Sequence, residues 1–186
     1  MVIDANSRIS LSNNDSGDSN TIFGKNAGDS DGAGDFNVFI GEGSGGGATQ
    51  TNDADNNIGI GYNSLNGVTT GSKNLGMGTN ALVGMTVGTN NIAIGYGTLD
   101  GVTTGACDDN VAIGLNAMGG AIAAEVVDDC VAIGSGALSG ALDSTNGVDE
   151  ASGTVAIGKS ALAALTTGAG NTAVGFNSLL GNTTGY

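Results

Sequence analysis

Residues 57–71 read NIGIGYNSLNGVTTG, and residues 74–88 repeat the pattern as NLGMGTNALVGMTVG. In each copy a short alternation of aliphatic and small residues leads to a glycine, and a leucine and a Thr/Gly-rich turn follow. Residues two apart share one side of a strand, and glycine permits the positive φ angles of tight corners. The stretch therefore predicts short strands joined by glycine corners.

The same unit recurs along nearly the whole chain, with a base period of 17 residues. Its first glycine corner falls at nine positions: Gly24, Gly41, Gly61, Gly78, Gly95, Gly114, Gly134, Gly158 and Gly175. A unit of this length is too short for a helical-hairpin repeat, whereas short strands in stacked turns form a solenoid. The period predicts an all-β fold, a parallel β-solenoid of about nine coils in residues 20–186. Residues 1–19 are expected to form an N-terminal leader or cap strand.

The composition disfavours several classes of function. The 186 residues include no His, and 4 basic residues stand against 18 acidic ones, for a net charge of −14. The usual general base and zinc ligand are therefore missing, and a phosphate-binding basic face cannot form. No apolar run reaches the length of a membrane span. We expect a protein that is not an enzyme, binds no nucleic acid and does not insert into a membrane.

Two columns of equivalent residues are candidates for a structural role. Asparagines before the strands either form a hydrogen-bonded ladder or act as turn residues; the ladder candidates are Asn37, Asn57, Asn74, Asn91, Asn110 and Asn171. If the larger aliphatic residues point inward, the small central residues form an outer stripe. That stripe predicts close packing in a parallel homotrimer, with a bare tolerated face as the alternative, through Gly59, Gly76, Ala93, Ala112, Ala132, Ala156 and Ala173.

The acidic residues cluster between the units. Asp29, Asp31 and Asp35 are candidate Ca²⁺ ligands because clustered carboxylates suit that ion, but they lack the ligand pattern of a calcium-binding hand loop. The alternative is a solvated edge whose charges keep fibres apart. No other cofactor is expected.

Two further sets of residues leave alternatives open. Cys107 and Cys130 lie in successive units, and they form either an inter-coil disulfide or two buried thiols. Tyr62, Tyr96 and Phe176 follow the unit's glycine. Their rings could stack on a glycan or pack between coils or chains.

The recurring NIAIG and NVAIG units (Asn91–Gly95 and Asn110–Gly114) resemble the head repeats of YadA-like trimeric autotransporter adhesins. With the TTG turn and the opening stretch ANSRISLSNN (Ala5–Asn14), they are similar to repeats of bacteriophage tail fibres. The resemblance implies a left-handed β-roll, a trimer and a role in attachment. The YadA-like unit is shorter than 17 residues, and no secretion signal is recognisable at Met1–Asn14.

We therefore expect a structural segment of a virion tail fibre that serves as a rigid shaft, with a possible host-attachment surface for a glycan or protein. The alternative is the head of a secreted or cell-surface trimeric adhesin. The expected location is the virion or the extracellular space. The chain stops where another unit would begin, so the repeat is expected to continue beyond Tyr186 in the full-length protein.

Overall fold

The computed structural model describes residues 9–10, 19–29, 34–48, 50–51, 53–102, 106–120, 122–123, 127–143 and 151–185. Within these ranges the regular structure is all β, and no helix that could cross a bilayer occurs. Asp31, a candidate calcium ligand, lies outside them, as does most of the expected leader in residues 1–19.

Each sequence unit contributes one three-residue strand, and three two-residue strands are additional. In chain order they are β1 (Ile9–Ser10), β2 (Thr21–Phe23), β3 (Val38–Ile40), β4 (Ile58–Ile60), β5 (Leu75–Met77), β6 (Ile92–Ile94), β7 (Val111–Ile113), β8 (Ile122–Ala123), β9 (Val131–Ile133), β10 (Leu142–Asp143), β11 (Val155–Ile157) and β12 (Thr172–Val174).

The predicted parallel β-solenoid is confirmed. Nine strands pair in parallel in the order β2-β3-β4-β5-β6-β7-β9-β11-β12, and the chain winds into about seven stacked turns. The register joins equivalent residues of successive units, for example Gly76 with Ala93. β1 pairs antiparallel with β2 at one end, and β8 pairs in parallel with β10 in a second, smaller sheet.

The central residue of each three-residue strand faces the interior of the turn. The predicted outward stripe of Gly59, Gly76, Ala93, Ala112, Ala132, Ala156 and Ala173 is therefore wrong, because all seven are buried within the single chain. The aliphatic residues on either side of them face outward instead. A trimer contact through the small residues is excluded in this fold.

From the turn of β4 to that of β11, the interior is narrow because the opposite wall of the turn fills it with larger side chains. A Cβ atom on Gly76 would stand 2.6 Å from the Ser64 hydroxyl oxygen and 3.3 Å from a Leu65 side-chain carbon. Two apolar columns form this opposite wall, each member at most 1% exposed: Leu65, Leu82, Leu99, Met118, Leu138 and Leu162; and Val68, Met85, Val102, Ile122, Leu142 and Leu165.

Glycine is required at the corner that ends each strand. Gly61 has φ of +130°, and a Cβ there would stand 2.6 Å from the carbonyl oxygen of Gly78 in the next turn. Both the backbone angle and the close stacking of neighbouring corners exclude a side chain. This explains why the corner glycine recurs in every unit.

Buried asparagines form a hydrogen-bonded ladder along the stack. From Asn20 to Asn110, each side-chain Oδ1 accepts the backbone N–H of the equivalent residue in the next turn, at 2.7–3.1 Å. Each Nδ2 donates to a backbone carbonyl of the next turn at 2.6–2.8 Å. The ladder includes Asn20, which the candidate set lacked, and the continuous run ends before Asn171, which the set included. It satisfies backbone groups that the strands leave buried.

The ladder is interrupted in two turns. Cys130 occupies one ladder position and Thr154 the next, and the Thr154 hydroxyl is buried without a hydrogen-bond partner. The Cys130 thiol donates to the Ala151 carbonyl at 3.2 Å, where an asparagine would place its Nδ2. Beyond the gap, Asn171 Nδ2 donates to Gly168 within its own turn.

We expect the double substitution Cys130→Asn/Thr154→Asn to stabilise the protein. Each new amide can accept the N–H of the next turn and donate to a carbonyl, which contributes about 0.5–1.5 kcal/mol per hydrogen bond. Urea unfolding should show a higher free energy of unfolding, while Thr183→Asn, at an exposed position outside the strands, should leave it nearly unchanged. A lower free energy for the double variant would contradict the ladder's role.

Candidate functional site

The most conspicuous surface feature is an aliphatic face on the outside of the nine parallel strands. We call it the strand face, and it consists of the first and third residues of β2–β7, β9, β11 and β12. These positions alternate with the buried central residue, as a strand's pleat requires. Two columns of side chains therefore run along the stack, with successive turns about 4.8 Å apart.

The strand face is uncharged throughout and apolar at all but two positions. In a chain with net charge −14, both outward positions of every one of these strands are uncharged, and Thr21 and Thr172 are the only polar residues among them. Large side chains stay accessible in the isolated chain, including Ile58 at 38% and Met77 at 40%. Contiguous exposed apolar surface of this kind marks an interaction site.

A second column borders the strand face, and we call it the flanking column. It contains the residue after each corner glycine: Lys25, Glu42, Tyr62, Thr79, Tyr96, Leu115, Ser135, Lys159 and Phe176. Neighbours in this column reach one another across turns. Lys25 Nζ lies 3.7 Å from Glu42 Oε1, and Lys159 Nζ lies 6.0 Å from the Phe176 ring centroid.

Acidic residues between the units form one corner of the stack, which we call the acidic corner. Its carboxylates accept hydrogen bonds from neighbouring turns, a role that the sequence did not predict. Asp55 Oδ1 accepts the backbone N–H of Asp35 at 2.6 Å, and Asp128 Oδ1 accepts that of Asp108 at 2.7 Å. Asp108 Oδ1 accepts both the N–H and the hydroxyl of Thr89. These carboxylates thus form a second, outer set of hydrogen bonds between turns, two residues before the asparagine ladder.

The calcium hypothesis stays a prediction. Of its three candidate ligands, Asp29 and Asp35 are described, and Asp35 is a backbone donor to the carboxylate of Asp55. Within the described ranges, no group of three or more His, Cys, Asp or Glu side chains is placed to hold a metal ion.

The two cysteines are buried thiols and form no disulfide in the structure. Desolvation by burial raises the pKa of both Cys107 and Cys130 to about 11. Both therefore stay protonated near neutral pH, and the thiolate needed for attack or metal binding is scarce. Their chemistry is that of small core residues.

Comparison with protein-family models, with characterised proteins and with solved structures finds no match to this chain.

Proposed function

We propose that this chain is a non-enzymatic segment of a virion tail fibre, a rigid left-handed β-solenoid shaft that assembles as a parallel homotrimer through its strand face. The observation that carries the proposal is the uncharged, mostly aliphatic surface on the outside of the nine strands. The resemblance to tail-fibre and YadA-like repeats supports three chains and an extracellular or virion location. The segment needs no cofactor, membrane insertion or nucleic acid for this role.

A parallel trimer suits the chemistry of the strand face. In that arrangement each turn meets the identical turn of its neighbours, so aliphatic side chains meet aliphatic side chains at every level. Burial of apolar surface contributes about 25 cal/mol per Å². In this arrangement the acidic corners lie away from the trimer axis, and their like charges remain hydrated.

Light scattering tests the assembly directly. We expect a mass of three chains of 17.8 kDa each, and we expect Ile92→Glu to reduce it to one chain because three carboxylates would crowd the dry axis. Val87→Glu is the matched control, since Val87 and Ile92 are both 37% exposed but Val87 lies off the strand face. A single-chain mass for the unmodified protein, or a trimeric Ile92→Glu variant, would refute the proposal.

A further inference from the structure

Two tyrosines of the flanking column lie two turns apart. The backbone N–H of Asn80 donates to the Tyr62 carbonyl at 2.9 Å, and that of Gly97 donates to the Thr79 carbonyl at 3.0 Å. Tyr62, Thr79 and Tyr96 therefore occupy the same position in three consecutive turns. The backbones of the two tyrosines are separated by two rung spacings of about 4.8 Å each.

Both tyrosine rings are open to solvent. Tyr62 is 51% exposed and Tyr96 is 55% exposed. Elsewhere in the flanking column, neighbouring side chains engage each other, as in the Lys25–Glu42 ion pair and the Lys159–Phe176 contact. Thr79 is shorter than either tyrosine, so the surface between the two tyrosines is recessed at Thr79. We call this recessed surface the shelf. This arrangement suits a ligand that lies along the stack.

The surroundings of the shelf favour an uncharged, hydroxyl-rich ligand. The chain's net charge of −14 repels polyanions, and no Lys or Arg occupies the three turns' flanking positions. Aromatic faces with a polar tip pack against the apolar faces of sugar rings while hydrogen bonds form at the edges. Asn63 and Asn80, both half-buried, directly follow Tyr62 and Thr79 in the chain.

The two-turn spacing of Tyr62 and Tyr96 matches the repeat of one kind of glycan. In an extended β-1,4-linked chain of hexopyranoses, each ring advances by a length comparable to one solenoid turn, and every second ring presents the same face. We propose that Tyr62 and Tyr96 bind two same-facing rings of a neutral β-1,4-linked polysaccharide, with the intervening ring over Thr79. This inference rests on the proposed tail-fibre function and on the host-attachment role that the sequence resemblance implies, and it names the class of receptor.

Calorimetric titration with defined oligosaccharides tests the proposal. The probes are cellohexaose, mannohexaose and N-acetylchitohexaose, with α-linked maltohexaose as the control ligand. We expect at least one β-1,4-linked probe to bind, and Tyr62→Ala or Tyr96→Ala to lower its affinity about tenfold. Phe176→Ala, an aromatic truncation in the same column without a second ring two turns away, should leave the affinity unchanged.

Three outcomes would overturn the glycan site. They are no binding of any β-1,4-linked probe at millimolar concentration, equal binding of maltohexaose, or full affinity in both tyrosine variants. Light scattering of the same variants separates this proposal from the trimer. If Tyr62→Ala lowers the assembly mass, the rings pack between chains and the glycan site is refuted, whereas an unchanged trimeric mass without glycan binding refutes the glycan site alone.

Discussion

Replacing Asn91 by alanine is expected to lower the free energy of unfolding by about 3–5 kcal/mol, because it leaves buried polar groups unpaired. Asn91 Oδ1 accepts the backbone N–H of Asn110 at 3.1 Å, and its Nδ2 donates to the Cys107 carbonyl at 2.6 Å. Alanine can replace neither contact, and water has no access to this fully buried column. Urea unfolding at one fixed protein concentration measures the loss, since the stability of the proposed trimer would depend on concentration.

The adjacent Asn90 provides the control for this prediction. It is exposed and has φ of +59°, and its column holds glycine with similar angles at Gly153 and Gly170. Asn90→Gly therefore keeps the backbone conformation and should change stability by less than about 0.5 kcal/mol. Equal effects of Asn91→Ala and Asn90→Gly would show that the ladder contributes no more than a surface amide.

The second large effect is expected in the turn that contains Phe39. Phe39 is 1% exposed, and its ring fills the space beside Gly45, where a Cβ would approach it to 2.5 Å. In the next turn the sizes are exchanged, with Gly59 at the position of Phe39 and Leu65 at that of Gly45. Phe39→Ala should cost about 3–5 kcal/mol, and Gly45→Leu alone should cost about 1–3 kcal/mol through overpacking.

The double variant Phe39→Ala/Gly45→Leu rebuilds the arrangement of the later turns. Leucine is compatible with the backbone there, since Gly45 has φ of +61° and Leu65 has +53°. We expect the double variant to lose less free energy of unfolding than the sum of the two single losses, by about 1–3 kcal/mol. As the control, Gly45→Leu is combined with Leu162→Ala in a distant turn. The effects of these two substitutions on the free energy of unfolding should add. Additivity in both pairs would contradict the proposed exchange of volume across the core.

The period and the parallel stacking could be predicted from the sequence because they depend only on repetition and glycine corners. The inner and outer sides of the strand could not be assigned from alternation, which shows which residues share a side but not which side is buried. Assigning the larger Ile58 and Ile60 to the interior neglected the leucine and valine that fill it from the opposite wall. The sequence did contain a corrective signal, since the large Ile22 and Phe39 occur with Gly28 and Gly45, and the small Gly59 occurs with Leu65.

The hydrogen bonds of the acidic corner were less accessible to sequence reasoning. The position of Asp108 two residues before Asn110 is visible, but Asp, Ser and Thr all occur in that column. Only coordinates show that one Asp108 oxygen accepts the Thr89 N–H of the preceding turn. The negative charge of the acidic corner suggested a bound cation or repulsion between fibres. The geometry shows instead that its carboxylates accept hydrogen bonds from backbone N–H groups of neighbouring turns.

The central claim is that the aliphatic flanks of each strand face outward and join the chains, while the central residue faces inward. Cross-linking single-cysteine substitutions at the adjacent Ala93 and Ile94 with a short bis-maleimide tests it most directly. Cys107 and Cys130 give little background near neutral pH, because both are buried and their pKa is about 11. The account predicts covalent dimers of Ile94→Cys and none of Ala93→Cys. Dimers of Ala93→Cys without dimers of Ile94→Cys would contradict it.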